Sequence, residues 1–114
     1  MPLLLVLIVL GAAAPGRVTP GPAVTDANLA ERVRRLQTPA EQMALGDYYA
    51  AEADAEAGRI LFYEELFRAY NDLPGREYEP YRQRARRLLK AARESREQLD
   101  ILATAHRNRA MTAE

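Results

Sequence analysis

The chain carries a single imidazole, His106, a single hydroxymethyl side chain, Ser95, and no cysteine, so the chemistry open to it is narrow. Without cysteine there is no disulfide framework, thiolate nucleophile, CxxC redox pair or cysteine zinc site. Imidazole suits Zn, Cu, Ni and Fe, which makes His106 the candidate metal ligand. It would need company, because a structural zinc site takes four ligands dominated by Cys and His. Carboxylates such as Glu41 or Glu52 are the supplements this sequence offers. Glu52 with Glu56, and Glu64 with Glu65, bring carboxylates together, but no histidine is near in sequence for acid–base work, and such pairs read as solvated helix faces. Ser95 falls in the middle of a helical pattern, a poor place for a nucleophile. The tyrosines Tyr48, Tyr49, Tyr63, Tyr70, Tyr78 and Tyr81 could line a pocket, yet at helical spacing they read as core-edge residues with the hydroxyl at water. No GxSxG elbow, P-loop, GxGxxG turn or HExxH motif occurs. No catalytic activity is expected, and no cofactor.

The elements that position these residues are all helical by pattern. Residues 1–23 stand apart: Leu3 to Leu10 is a run of eight aliphatic residues, followed by Pro- and Gly-rich sequence. A bilayer-spanning helix needs roughly 20 apolar residues, so this run fits the apolar region of a secretory signal better than an anchor. Cleavage after a small residue, at Gly21-Pro22-Ala23 or within Ala12-Ala13-Ala14, would leave a periplasmic or secreted product without a stable membrane span. Residues 24–38 form a short helical segment, Asn28 to Gln37, capped by Thr25 or Asp26, with Leu29, Val33 and Leu36 on one face. Pro39 separates it from the next segment. Thr38, Pro39 and Glu41 then make a capping-box start for a long helix. Asn71-Asp72-Leu73-Pro74-Gly75 ends that helix, and Pro80 sits in the first turn of another that runs to about Met111. Gly46 and Gly58 interrupt the first long helix, each marking either close packing or a bend.

Both long helices carry a continuous stripe: Tyr49, Ala53, Glu56, Ile60, Tyr63, Phe67 and Tyr70 in the first, and Tyr81, Ala85, Leu88, Ala92, Ser95, Leu99, Leu102 and His106 in the second. At 1.5 Å per residue each helix is about 50 Å long. The expected fold is therefore all-α: an antiparallel helical hairpin over 39–114, with its turn at about 71–79 and a short extra helix at its open end. Self-association would complete a bundle. With the turn centred at Leu73 and Pro74, residues whose numbers sum to about 147 lie opposite each other, which sets Gln42 against His106 and Tyr63 against Arg84. His106 is then a stripe residue hydrogen-bonded to Gln42 or Tyr49.

Charge separates the two arms although the whole chain is neutral. Residues 39–73 hold eight acids and two bases, and residues 74–114 ten bases and six acids. Opposite signs favour antiparallel pairing. The run Arg82, Arg84, Arg86, Arg87, Lys90, Arg93, Arg96 reads as a solvated, cross-paired flank, and a zero total argues against a nucleic-acid partner.

Ala40 to Tyr49, AEQMALGDYY, and Leu102 to Met111, LATAHRNRAM, resemble the ends of an uncharacterised family of small exported all-helical bacterial proteins whose members read AEHxxLAxYY and LAxxHRxMA. The resemblance implies export and a helical hairpin bearing several histidines. Here Gln42, Tyr63 and Arg84 stand at the family's histidine positions, and only His106 is kept. Leu36 to Gln42, LQTPAEQ, is also similar to the LTxEQ helix start of small helical-hairpin envelope chaperones. The function expected from all of this is an exported interaction or scaffold protein of the cell envelope, with Phe62, Leu66, Phe67, Leu89 and Ile101 as its apolar docking residues. The alternative is a periplasmic metal-binding or stress-responsive, chaperone-like protein that uses His106.

Overall fold

A computed structural model describes residues 18–19, 21–35 and 38–112. The apolar run of the expected export segment and Leu36 of the short helix lie outside the described residues. Among the described residues three α-helices follow one another: α1 (Leu29–Arg34), α2 (Pro39–Asn71) and α3 (Glu79–Thr112), with a 3₁₀ turn at Arg76–Tyr78 between the last two. The protein is all-α, and α2 and α3 pack along their length as an antiparallel hairpin.

The start of α2 is the capping box read from its sequence. Thr38 Oγ1 accepts from the Glu41 amide at 3.1 Å, and Glu41 Oε1 accepts from the Thr38 amide at 3.2 Å. Two of the backbone donors exposed at this helix end are thereby satisfied. At the other end Gly75, at φ 105°, takes a left-handed backbone that only glycine adopts without strain, and the chain reverses there. Arg82 then closes the turn. Its guanidinium donates to the carbonyl of Tyr70 in the last turn of α2 (3.1 Å), where the helix dipole favours positive charge, and to those of Leu73 (2.5 Å) and Gly75 (3.2 Å) in the turn beyond it.

The seam between the long helices is built from small residues. Ala44, Ala53, Ala85, Ala92, Ala103 and Ala110 are buried, joined by Leu45 and Leu89. The stripe of α2 follows its expected positions, but that of α3 departs from them in two places. Leu89 and Ala103 turn inward, while Leu88 (45% exposed) and Leu102 (40%) face outward. Gly46 explains the second departure. A Cβ added there would lie 2.6 Å from Arg107 Cγ and 3.2 Å from the Ala103 carbonyl oxygen, so the backbones approach too closely for a leucine at position 103. Gly58 has open space around it, and helix α2 continues through both glycines.

The pairing register also differs from expectation. Opposed residues have numbers that sum to about 151, as in Glu56 with Ser95 and Tyr70 with Tyr81. The 3₁₀ turn displaces the centre of reversal toward Gly75 and Arg76. Tyr63 is consequently level with Leu88 and not with Arg84, whereas Gln42 still meets His106.

At the open end, α1 is shorter than expected, and Asn28 occupies its N-cap position instead of Thr25 or Asp26. The residue α1 buries is Arg32, 6% exposed, whose guanidinium donates to the Ala23 carbonyl at 3.2 Å; Val33 is 41% exposed. Residues 21–26 lie along Ala44, Tyr48 and Ala51 of α2, pinned by the Gly21 amide to the Ala40 carbonyl at 3.0 Å and by the Tyr48 hydroxyl donating to Asp26. That hydrogen bond, with burial and the Asp26 charge, pushes the Tyr48 hydroxyl up to about 12. No helix among the described residues is long and apolar enough to cross a membrane.

Candidate functional site

His106 occupies a half-buried level near the open end of the hairpin. Its Nδ1 donates to Gln42 Oε1 at 2.8 Å, and its ring stacks on Tyr49 with centroids 5.7 Å apart and planes 16° from parallel. Burial holds its pKa below the ordinary value of 6.5. One ring nitrogen is thus committed to an amide. Among the described residues, no three His, Asp or Glu side chains converge where they could hold a metal ion. Glu41 belongs to the capping box, and Glu52 lines the groove under the N-terminal segment.

The lowered pKa has a direct consequence for stability. Between the folded value and 6.5 the unfolded chain binds the proton and the hairpin does not, so stability is complete above pH 6.5 and declines as pH falls through that value. His106→Asn is expected to abolish this part of the pH dependence, measured as urea midpoints between pH 7.5 and 5.5. A wild-type midpoint that rises on acidification would contradict the assignment.

A second polar pin lies at mid-hairpin. Ser95 Oγ donates to Glu56 Oε2 at 2.8 Å, and Arg59 approaches the other oxygen at 3.1 Å. The Ser95 hydrogen bond, helped by Arg59 and opposed by burial, holds the Glu56 carboxyl below its usual range. Glu56 is therefore a carboxylate at neutral pH, and Ser95 is its donor.

The five apolar residues expected to form one docking surface are divided by the structure. Leu89, 8% exposed, belongs to the seam, which corrects its placement on the outer surface. Phe67 is half-buried beneath the Arg86 guanidinium, 5.2 Å from its ring centroid. Ile101 (54% exposed) lines a groove with Ile60, Glu64 and Arg93 on one flank of the hairpin. Phe62 (62% exposed) and Leu66 line another groove on α2, and the Phe62 ring meets Tyr63 edge-on at 5.5 Å. Leu66 lies one turn beyond Tyr63, which shares a groove with Leu88 and Ala91 of α3, and Phe62 lies one turn before Leu66.

The two flanks differ in kind. Ion pairs cross the Ile101 flank from α3 to α2, Arg93 to Glu64 at 2.9 Å and Arg107 to Asp47 at 2.7 Å. The Phe62 flank has no such ion pair among the described residues and presents Phe62, Leu66, Leu88 and Ala91. The sequence presents the arginines of α3 as one solvated run, whereas the structure gives Arg82, Arg86 and Arg93 separate structural partners and leaves Arg84 and Arg87 exposed. The position of Arg82 three residues after Glu79, just past a Pro-Gly stop, is the signal that could have singled it out. In comparisons with known proteins, no family model, no curated protein and no solved structure matches the chain.

Proposed function

We propose that the protein is an exported interaction or scaffold protein of the bacterial cell envelope, working by docking partners on the outer flanks of its hairpin. The observation that supports this reading is the inverted placement of apolar size. Among the described residues, six of the eight buried apolar ones are alanines, while Leu61, Phe62, Leu88, Ile101 and Leu102 are 40% or more exposed. Phe62 and Leu66 line a groove on one flank and Ile101 a groove on the other, and clustered exposed apolar side chains are what a protein-binding face presents. Export rests on the Leu3–Leu10 run.

The reading is tested by placing a photo-reactive phenylalanine analogue at Phe62, Ile101 or the polar, exposed position Arg109 and irradiating the expressing bacteria. Discrete adducts in the envelope fraction from Phe62 or Ile101, absent from Arg109, are the expected result. No adduct from either apolar position would refute docking. A mature mass beginning near Val24 supports export, and an intact chain confined to the cytoplasm overturns it.

A further inference from the structure

The N-terminal segment covers only part of one face of α2. Residues 21–26 lie over Ala44, Tyr48 and Ala51, and the same helical row continues beyond them through Ala55, Phe62, Leu66 and Ala69 with no covering segment among the described residues. Across the hairpin from this row, Leu88 and Ala91 of α3 lie on the same flank.

The rims of these two strips carry opposite charge. The strip on α2 is bordered by Glu65, Asp72 and Arg68, with Glu65 and Arg68 paired at 3.4 Å, so its rim keeps one net negative charge. The strip on α3 is bordered by Arg84 and Arg87, neither of which makes an ion pair within the described residues. In the observed register Glu65 is level with residue 86, between the two arginines, and Phe62 is level with Leu89, beside Leu88. An acid-rimmed apolar strip and a base-rimmed one thus lie side by side, at matching height, on one face.

We propose that this flank is a two-fold self-docking surface, in which a second copy of the chain covers Phe62, Leu66 and Leu88 and sets its basic α3 against the acidic α2 of the first. The proposal rests on the reading of the hairpin as an interaction module and names its partner. Two symmetric ways exist to lay such a flank on itself. A two-fold axis across the hairpin would stack α2 on α2 and oppose like charges. An axis along the hairpin keeps every residue at its own height, makes all neighbouring helices antiparallel and puts Glu65 of each copy opposite Arg84 and Arg87 of the other. Charge selects the second arrangement. Phe62 of one copy then meets Leu88 of the other twice, at the centre of a four-helix bundle.

The test is sedimentation equilibrium of the protein as recovered from expressing cells. A dimer at about 50 μM is expected, with Phe62→Glu weakening association roughly thirtyfold or more, the loss expected of a central aromatic anchor. Leu61→Glu, on the opposite flank, should leave the dimer intact. Arg84→Glu with Arg87→Glu should dissociate it, and adding Glu65→Arg should restore it, a rescue that general destabilisation would not produce. Because the chain has no cysteine, a tagged Phe62→Cys chain mixed with an untagged Leu88→Cys chain should cross-link on oxidation, whereas Phe62→Cys alone should not. A monomer at that concentration, or a dimer indifferent to Phe62→Glu, overturns self-docking. In the irradiation experiment a Phe62 adduct at twice the monomer mass supports the second copy. An adduct with a different protein only would overturn self-docking while leaving the interaction reading in place.

Discussion

Leu45→Ala is expected to cost about 3–5 kcal/mol, a large share of the stability of so small a domain. Leu45 is 1% exposed and is the largest fully buried side chain among the described residues. Truncating a buried leucine removes its transfer free energy and leaves a cavity, a loss of about 2–5 kcal/mol in well-packed sites. The upper part of that range applies because the neighbours cannot relax inward. Ala44 and Gly46 flank it in sequence, and one turn earlier Gln42 is held by His106. A single small domain has only about 5–15 kcal/mol of stability in total, and here the seam is mostly alanine. Thermal unfolding followed by circular dichroism should show a midpoint lowered by more than about 15 °C. A shift of only about a degree or two would mean that this end of the hairpin is held by something other than Leu45.

Gly46→Val is expected to destabilise by about 2–3 kcal/mol, although valine is better than glycine in an isolated helix. The added Cβ would fall 2.6 Å from Arg107 Cγ and 3.2 Å from the Ala103 carbonyl oxygen. Arg107 can swing away by giving up its 2.7 Å contact with Asp47, an exposed pair worth little. The Ala103 carbonyl belongs to the backbone of α3 and moves only with the helix. Gly58→Ala supplies the contrast. Nothing lies within 4 Å of its added Cβ, so the helix-propensity gain of about 1 kcal/mol is kept. Urea midpoints should therefore move in opposite directions for the two glycines. Movement in the same direction would show that α2 and α3 are not in close contact at Gly46.

The contrast between the glycines marks where sequence legibility ends. Both interrupt the same helix and look alike in the chain, and only the partner helix distinguishes them. The hairpin, the capping box at Thr38 and Glu41, and the meeting of Gln42 with His106 follow from spacing and turn chemistry, which are local. The inward choice of Leu89 over Leu88 does not, because the two are identical, nor does that of Ala103 over Leu102, where periodicity alone favours turning the larger apolar residue in. That preference holds when helices stand apart, and it fails where Gly46 and the alanines draw them together. Of the candidate site, Phe62 and Leu66 share one surface, as their spacing predicts. Phe67, Leu89 and Ile101 are scattered to three environments by a helix rotation that apolar content alone does not determine.

An alanine seam is also a nearly featureless track. Alanine has no rotamers to lose when the arms close, so zipping costs little side-chain entropy, but the same smoothness gives one alignment of the arms scarcely more shape specificity than another a turn away. The choice of alignment then falls to the few directional contacts between the arms, His106 to Gln42, Ser95 to Glu56, the Arg82 clasp at the turn and the ion pairs Arg93 to Glu64 and Arg107 to Asp47. These act as detents on a sliding bolt: they add little to how firmly the arms hold and determine where they stop.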